Sequence, residues 1–485
     1  MTERAAVIVG AGPNGLAAAV RLAQAGMRVR VFEAAAEIGG GTRSGPLGDS
    51  GVIADHCSAF HPLGVGSPYL STLPLHRYGL RWLWPEIDCA HPLDDGTAVC
   101  AYRDLDRTVA GLGAAGTRWR TLLGDASAHF AELAPDVLSP LLGIPRHPLL
   151  LARFGARALL PATTIAGWLG PAAGALFAGM AAHAFTRLDR PGSSAAGLML
   201  AAAGHHCGWP VAEGGSAAIA DALAGYLREL GGTIETGCEI TDLAQLPHAE
   251  AVILDVLPQA ALRILGDRIP PRVARSYRRW RRGPAAFKVD YVIDGEVGWA
   301  APDCARAGTV HLGGSAQMIA AAEADTAAGR LPDRPFTLVG QQWVADPSRA
   351  AANLNPLWAY AHVPQGYSGD ITGLITAQIE RFAPGFSGRI VSAHVSSPAA
   401  LAAANPNYLG GDIGGGRNGL RQLIARPRLT PNPYATGVRG VYLCSAATAP
   451  GAGVHGMCGY GAAQAALAQA DSVRTDELLP PAEPL

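Results

Sequence analysis

Apolar and polar residues alternate along the first forty positions in a way that predicts strand, helix and strand. Ala6–Val9 is a short apolar run rich in β-branched residues, and Arg28–Phe32 has the same character about one helix length later. The residues between them are mostly small or apolar and begin directly after a glycine pattern. The order predicts a β-α-β unit at the start of the chain.

The glycine pattern of this unit, Gly10-x-Gly12-x-x-Gly15, stands between the first strand and the helix. Its glycines permit a tight turn, a close approach of phosphate to the backbone, and close helix–strand packing, and the helix N-terminus favours phosphate charge. Glu33 follows the second strand at the distance expected for an acceptor of a ribose hydroxyl. The unit therefore predicts a dinucleotide site. Its candidate binding residues are Gly10, Gly12, Pro13, Asn14, Gly15 and Glu33.

A second glycine cluster follows within ten residues of this acid. Glu33 alone fits either NAD or FAD. A second close approach of the backbone suits the extended surface of bound FAD, and a hydroxyl and a guanidinium fork suit its phosphate oxygens. The cluster favours FAD, held without a covalent link. Its candidate residues are Gly39, Gly40, Gly41, Thr42 and Arg43.

The same glycine spacing recurs at Gly111–Gly116, but the preceding segment is amphipathic at helical spacing. We predict a corner between two helices there and no second dinucleotide fold.

One strand prediction carries a candidate catalytic residue. In AAFKVDYVI, Phe287, Val289 and Tyr291 alternate with polar positions, so that Lys288 shares a face with Asp290. Lys288 is the only lysine among 38 basic residues. Lysine can lose its proton when desolvated, which arginine does not do. Lys288 is therefore a catalytic candidate, and the alternative is an ordinary surface lysine.

The stretch Ala158–Phe185 contains no Asp, Glu, Lys or Arg. It is long enough to span a bilayer, but Pro161, Pro171 and four glycines interrupt it. We predict a broken, buried helical segment that lines an apolar pocket. The alternative is a surface that makes peripheral contact with a membrane.

Composition and net charge limit the classes of protein to which the chain can belong. A chain of 485 residues with 49% hydrophobic and 16% charged residues is expected to form two compact domains. A net charge of −1 gives no electrostatic reason to expect nucleic acid. The eight cysteines form no C-x-x-C pair, no metal site is expected at the adjacent His205 and His206, and the N-terminus has no secretory pattern. Free thiols and a cytoplasmic location are the expectation.

Six motifs resemble one known family. They are GAGPNG, IGGGTRS, DHCSAFHPLG, GWPVAEGGSAAIADAL, NPNYLGGDIGGG and YLCSAATAPGAGVHGMCGYGAAQAAL. Together they resemble the phytoene-dehydrogenase-like FAD-dependent oxidoreductases, in the branch named pyridine nucleotide-disulfide oxidoreductase domain-containing protein. Carotenoid desaturases and flavin amine oxidases are related to this family. One position departs from the wider pattern, because Gly41 stands where an arginine is usual and Arg43 is the nearest substitute.

The resemblance implies an α/β fold with a discontinuous, Rossmann-type (glutathione-reductase-like) FAD-binding domain. That domain would comprise residues 1–75, 208–282 and 405–485. An inserted α+β substrate domain would comprise residues 76–207 and 283–404. The tail LLPPAEPL is predicted to be disordered.

The resemblance also implies roles for particular residues. Gly453, Val454 and His455 would lie where the N-terminus of a helix meets the flavin and stabilises negative charge there. Ile240 would meet the adenine. Two further histidines, His56 and His61, flank a segment that passes close to the ring in related flavoproteins. His61 and His455 join Lys288 as catalytic candidates, since the strand of Lys288 resembles one whose lysine reaches flavin N5 through a water.

Three function classes follow. The first is an FAD-dependent dehydrogenase or oxidase that acts on a CH–CH or related bond of a largely apolar small molecule. The second is amine oxidation. The third is a protein that uses FAD for a redox-neutral isomerisation or cyclisation, or that keeps FAD only as a structural element in a partner-binding role. Oxygen, a quinone and another protein all stay open as the electron acceptor.

Overall fold

The fold was examined in a computed structural model that describes residues 4–478, so most of the predicted disordered tail lies outside it. Its sixteen strands are β1 Ala5–Val9, β2 Arg28–Phe32, β3 Ser44–Pro46, β4 Ile53–Asp55, β5 Trp82–Leu83, β6 Ile87–Pro92, β7 Ala98–Ala101, β8 Val211–Ala212, β9 Thr233–Glu235, β10 Ala251–Leu254, β11 Ala285–Asp294, β12 Ala307–Leu312, β13 Thr337–Gly340, β14 Leu354–Val363, β15 Ile390–Ser396 and β16 Val441–Leu443.

The α-helices of the described residues vary from one turn to about six turns. They are α1 Pro13–Gln24, α2 Pro62–Val65, α3 Leu105–Gly111, α4 Gly116–Ala128, α5 Phe130–Val137, α6 Pro148–Ala158, α7 Ala162–Leu169, α8 Pro171–Ala182, α9 Ser194–Cys207, α10 Ala217–Glu229, α11 Pro258–Leu265, α12 Pro271–Arg278, α13 Ala316–Ala327, α14 Gln342–Ala345, α15 Thr372–Phe382, α16 Pro398–Ala404, α17 Leu420–Ile424 and α18 Met457–Leu478.

Five strands form a parallel sheet in the order β16-β10-β1-β2-β9. Strands from three distant parts of the chain build it, and α1 packs against both β1 and the C-terminal helix α18. The predicted β-α-β unit at the start of the chain is therefore confirmed, and so is the α/β, Rossmann-type class. The carboxyl ends of parallel strands lie at one edge, where ligands bind in such sheets.

A second sheet has seven strands in the order β15-β11-β14-β13-β12-β6-β7. Its strands pair in antiparallel fashion except for β12 and β6, which are parallel. Both chain segments outside the five-stranded sheet contribute to it, since β6 and β7 come from the first and the other five strands from the second.

The two faces of this sheet differ in character. One face packs an apolar core that includes Phe287, Val289 and Tyr291, as the alternation in β11 predicted. The other face carries polar and aromatic residues on neighbouring strands, because the register aligns Asp290 with Trp358 and Lys288 with Tyr360. The strands β6 and β7 were missed by the sequence analysis, which predicted no strand in the first of these segments.

The uncharged stretch forms α7 and α8, broken at Gly170, and α8 is buried along most of its length. The predicted broken helical segment is confirmed, as is the corner between α3 and α4. Among the described helices, none is both long and apolar enough to cross a bilayer alone. The bent pair α6 and α7, which turns through 87°, meets the length and composition of a span only when both helices are taken together.

Candidate functional site

A cavity of about 1120 Å3 lies between the carboxyl edge of the five-stranded sheet and the polar face of the seven-stranded sheet. This volume exceeds the 300–1,000 Å3 of a typical small-molecule site. Most of the binding residues predicted from the sequence line it: Gly10, Gly12, Pro13, Asn14, Glu33, Gly40, Gly41, Thr42, Arg43, Ile240, Gly453, Val454 and His455. The cavity therefore joins residues from three distant parts of the chain.

The glycine loop after β1 is packed so tightly that side chains do not fit. A Cβ on Gly12 would lie 2.7 Å from Oδ2 of Asp255, and one on Gly15 would clash with the carbonyl of Gly10. Gly15 does not line the cavity, which agrees with the packing role predicted for it. The side-chain oxygen Oδ1 of Asn14 is buried without a hydrogen-bond partner. The loop thus leaves room for a ligand and contains one buried oxygen that has no hydrogen-bond partner in the protein.

Asp255 is a cavity residue that the sequence analysis missed. It follows β10 at the same edge of the sheet as Glu33, and its Oδ2 accepts a hydrogen bond from the N–H of Gly15 at 2.9 Å. Burial raises the pKa of this carboxyl to about 7, and the Gly15 N–H acts against that shift. The signal was present in the sequence, since AVILD is an apolar run that ends in an acid.

Glu33 stands at the end of β2 and is held by the backbone. Its Oε2 accepts the N–H of Ala11 at 2.6 Å, and its Oε1 accepts the N–H of Ala35 at 2.9 Å. A carboxylate oxygen accepts more than one hydrogen bond, so both oxygens retain lone pairs for a ribose hydroxyl. The two backbone contacts fix the orientation of the carboxylate at the cavity wall.

The second glycine cluster approaches the first. Gly40 packs on Gly12, since a Cβ at Gly40 would lie 3.2 Å from the Gly12 Cα. Gly39 has φ 104°, a left-handed conformation that favours glycine, and it lies just outside the cavity lining. At Gly41 a Cβ would clash with the hydroxyl of Tyr408. That clash explains why neither arginine nor any other side chain fits where the wider family pattern has one.

The two residues after this cluster use part of their polar groups internally. The hydroxyl of Thr42 donates to the carbonyl of Gly39 at 2.8 Å, so its proton is not free for a phosphate oxygen, contrary to the prediction. Arg43 donates from Nε to Gly40 at 3.0 Å and from Nη2 to Ala404 at 2.5 Å. Its Nη1 stays without a partner among the described residues, so the predicted phosphate contact of Arg43 stays a prediction.

The C-terminal motif places a helix N-terminus at the cavity. The helix α18 begins at Met457, whose N–H donates to Nδ1 of His455 at 3.0 Å. His455 is 1% exposed, and burial lowers its pKa to about 4, so that its ring is neutral near pH 7. Val454 has φ 54° and Gly453 has φ 149°, which turn the chain sharply beside the cavity. His455 therefore orders the start of α18 at the cavity wall.

The remaining cavity wall is largely apolar and comes from α6, α9, α17, the segments that precede α6 and follow α8, and the seven-stranded sheet. It includes Leu141, Leu142, Leu151, Phe154, Leu159, Phe185, Met199, Leu200, Leu338, Trp358, Tyr360, Leu420, Leu423 and Ile424. The uncharged segment therefore lines an apolar pocket, as predicted, but only with the residues at its two ends. We call this part of the cavity the apolar chamber.

Lys288 is buried, being 3% exposed, so the alternative of a surface lysine is wrong. Its ammonium forms an ion pair with Asp290 and lies 6.0 Å from the ring centroid of Trp358. Trp358 lines the chamber and Lys288 does not. Lys288 therefore lies behind Trp358, whose side chain separates it from the cavity.

Two histidines do not meet the cavity. His61 is buried, with Nε2 2.8 Å from the hydroxyl of Ser216, and burial lowers its pKa to about 4. His56 is exposed. Cys57, Ser58 and Ala59 between them do line the cavity. His61 is thus held inside the protein as a structural histidine, which argues against the catalytic role predicted for it.

No group of three or more metal-ligating side chains occurs within residues 4–478. Along α9, His205 bonds to Trp119 and to the carbonyl of Tyr102, while His206 packs on Phe130. The adjacent histidines point apart, as expected.

The fold is of the α/β, Rossmann type, and the cavity opens at the carboxyl edge of its parallel sheet. Residues 8–73 match the family described as NAD(P)-binding Rossmann-like domain. Solved structures share the fold along nearly the whole chain. An oxidoreductase from Methanosarcina mazei has a TM-score of 0.58 at 16% identity and covers 96% of this chain and 100% of its own.

Two amine oxidases have the same fold. Putrescine oxidase bound to putrescine gives a TM-score of 0.59 at 17% identity over 96% of this chain and 99% of its own. Cyclohexylamine oxidase from Brevibacterium oxydans gives 0.56 at 15% identity over 97% and 100%. Among curated proteins, a component of the limonene dehydrogenase of Castellaniella defragrans is 29% identical over 135 residues. That match spans 28% of this chain and about a quarter (24%) of that relative.

Proposed function

We propose that this protein is an FAD-dependent oxidoreductase that removes a hydride from a carbon atom of a largely apolar small molecule. The observation that carries the proposal is the continuity of one cavity, from the glycine loop and Glu33 to the apolar chamber. A dinucleotide at one end and an apolar molecule at the other would meet inside this cavity, shielded from water.

The residues at the dinucleotide end fit FAD. The Gly10–Gly15 loop and the start of α1 suit a pyrophosphate, and Glu33 suits a ribose hydroxyl. Asn14 supplies an unpartnered buried oxygen, and Gly40 allows the second close approach that an extended molecule needs. When bound, FAD supplies the hydride acceptor, and oxygen, a quinone or a redox protein then takes up the two electrons.

The protein's own groups would prepare the reaction in three ways. The loop and Glu33 fix the position of the dinucleotide. The positive end of α18, ordered by His455, would stabilise negative charge that develops beside it. The apolar chamber would exclude water and hold the reacting carbon close to the ring.

Amine oxidation is the second candidate, supported by the fold of the two amine oxidases and by Trp358 and Tyr360 in the chamber. These rings, however, contact each other edge to face at 4.8 Å between centroids, which leaves no gap between them for a nitrogen. The carboxylates that line the described cavity, Glu33, Glu239 and Asp255, all lie at the dinucleotide end. The chamber therefore offers no anionic partner to an ammonium group, which favours an uncharged substrate.

Anaerobic mixing of the purified protein with candidate substrates tests the proposal. Limonene, a hydrocarbon, and cyclohexylamine represent the two candidates, and loss of visible flavin absorption with formation of a dehydrogenated product is measured. Reaction with limonene or another cyclic alkene supports the proposal. Reaction with amines alone, or a purified protein without flavin, overturns it. The Glu33→Ala variant, expected to bind the dinucleotide more weakly, serves as the control.

A further inference from the structure

The first inference concerns His183, a polar residue in the apolar chamber. His183 directly follows α8, is half-buried and lines the cavity. Its Nε2 lies 3.0 Å from Nε2 of His311. Its Nδ1 has no hydrogen-bond partner among the described residues. Nε2 of His183 therefore hydrogen-bonds within the protein, whereas Nδ1 has no protein partner at the chamber wall.

Both rings of this pair are neutral. Burial lowers the pKa of His183 to about 3, and burial, together with His183 nearby, holds the pKa of His311 well below its usual range. Two neutral imidazoles joined through Nε2 must share one proton, so one ring donates and the other accepts. Which ring donates decides whether Nδ1 of His183 is a donor or an acceptor.

The thiol of Cys89 favours one direction. Burial raises the pKa of Cys89 well above its usual range, so the sulfur keeps its proton. Its Sγ lies 3.3 Å from Nδ1 of His311 and 3.8 Å from the carbonyl of Ala90. We assign the S–H to the shorter contact, with Nδ1 of His311 as its acceptor. His311 then carries its own proton on Nε2 and donates it to His183, whose proton must stand on Nδ1.

We infer that His183 is a binding subsite for an oxygen atom that accepts a hydrogen bond, such as a carbonyl or hydroxyl oxygen, on an otherwise apolar substrate. The reason is that an N–H left unpaired in a buried site is unfavourable. A ligand with an acceptor at this point satisfies the N–H, and a hydrocarbon of the same shape does not. This inference rests on the proposed function, and it specifies the substrate class for the same cavity.

Matched ligands test the subsite. Limonene and carvone share one ring skeleton, and carvone adds a ketone. Their affinities for the flavin-loaded protein are measured by perturbation of flavin absorption. We expect His183→Phe to lower the ratio of carvone affinity to limonene affinity about twofold to tenfold, without weakening limonene. His206→Phe, on α9 outside the cavity, is the matched control and should leave the ratio unchanged. An unchanged ratio in His183→Phe overturns the inference.

The proton position is tested without any ligand or turnover. In protein labelled with 15N-histidine, the signals lost in His183→Phe identify the ring, and their shifts report which nitrogen carries hydrogen. We expect hydrogen on Nδ1 in the wild type and a shift toward Nε2 in Cys89→Ala. Cys100→Ala removes a buried thiol that contacts none of these rings and should change nothing. Hydrogen on Nε2 of His183 in the wild type overturns the inference even if neither probe binds, whereas a protein without flavin overturns only the proposed function.

A second observation, independent of His183, concerns the outer surface at one mouth of the chamber. Large apolar side chains stand exposed there, and Ile144 and Leu149 are 99% and 76% exposed. Leu141, Leu159 and Ile424 are exposed and also line the cavity. We call these five residues the apolar rim.

Basic residues predominate in the chain segments that form the rim. No acidic residue occurs between Asp136 and Asp189, or between Asp412 and Asp471, although the whole chain has a net charge of −1. These two segments contain the rim and expose Arg146, Arg153 and Arg421, of which Arg153 lies 3.8 Å from a carboxyl oxygen of Asp125. An apolar patch bordered by arginines is complementary to a bilayer surface that carries anionic headgroups.

We propose that the rim docks reversibly on an anionic lipid bilayer, so that apolar molecules dissolved there reach the chamber. Sedimentation with phosphatidylcholine vesicles, with and without phosphatidylserine, measures the contact. We expect binding to the anionic vesicles that weakens at high salt and is lost in Ile144→Glu/Leu149→Glu. Val391→Glu/Val395→Glu places the same charges on exposed valines of β15 and should bind like the wild type. Absence of wild-type binding, or equal binding of both variants, overturns the proposal.

Discussion

The carboxyl oxygen Oδ2 of Asp255 accepts a hydrogen bond from the backbone N–H of Gly15 at 2.9 Å across 240 positions of sequence. The contact ties the end of β10 to the glycine loop that follows β1. It helps to fix the shape of a loop in which three of the six positions are glycine. Asp255 is also buried, so the pKa of its carboxyl differs between the folded and the unfolded state.

We expect the contribution of Asp255 to stability to decline as pH rises. Its folded pKa of about 7 exceeds the ordinary 3.8, so the folded state binds the proton more tightly than the unfolded state. The stabilising effect is full below about pH 4 and is lost as pH rises through 7. Urea unfolding from pH 5 to 8 should show that the difference in unfolding free energy between wild type and Asp255→Asn changes by a few kcal/mol, at about 1.4 kcal/mol per pKa unit.

Asp88 provides the control for this prediction. Burial raises its pKa to about 7 as well, but it accepts the N–H of Trp209 and lies outside the cavity. Asp88→Asn should show a similar pH effect on stability while retaining the dinucleotide. A difference between wild type and Asp255→Asn that is the same at every pH would contradict the assignment.

Glu33→Ala should weaken retention of FAD. A hydrogen bond to a charged group contributes about 1.5–3 kcal/mol, which corresponds to a loss of affinity of about 10- to 150-fold. Flavin released by denaturation and the dissociation constant of the reconstituted protein measure the effect. Glu37→Ala removes an exposed carboxylate outside the cavity and should bind FAD like the wild type. Equal affinity of the two variants would refute the ribose contact.

The dinucleotide end could be predicted from the sequence because its signals are local. The strand, the glycine loop and Glu33 follow one another within about thirty residues. Each can be recognised from its residue types and spacing alone. Asp255 could have been found by the same rule, an apolar strand that ends in an acid. The rule was applied only where glycines stood nearby.

The strands β6 and β7 could not be found in this way. Every residue of β6 is buried, so its polar and apolar positions do not alternate toward water. Asp88 and His91 look like surface residues in the sequence, yet each forms a buried hydrogen bond with a distant residue, Trp209 or Gly314. The pair of His183 and His311 likewise joins residues 128 positions apart. Such groups become visible only once tertiary contacts are known.

His455→Ala should destabilise the protein by about 1–2 kcal/mol, because it removes the acceptor for the first N–H of α18. His455→Asn offers another acceptor and should recover part of the loss. Urea unfolding measures both variants. Because the pKa of His455 is about 4, its ring should not titrate between pH 6 and 8. A histidine signal at this position that titrates in that range would contradict the burial argument.

Lys288 carries the last prediction. Lys288→Met alone leaves Asp290 buried without its partner, and breaking a buried ion pair costs about 3–5 kcal/mol. Lys288→Met/Asp290→Asn removes both charges and should fold with FAD bound. If Lys288 acts on the flavin side of Trp358 through a water, the double variant should slow flavin reduction or reoxidation in stopped-flow measurements. Asp290→Asn alone separates the effect of the carboxylate.

Lys288→Arg distinguishes charge from proton transfer at this position. Arginine keeps the positive charge but does not lose its proton, and its planar group does not occupy the space of an ammonium. A purely electrostatic role predicts near wild-type rates in Lys288→Arg, whereas a role through a lysine-bound water predicts rates like those of the double variant. Wild-type rates for both half-reactions in Lys288→Met/Asp290→Asn would remove Lys288 from the reaction and leave the buried pair as a structural element of the sheet.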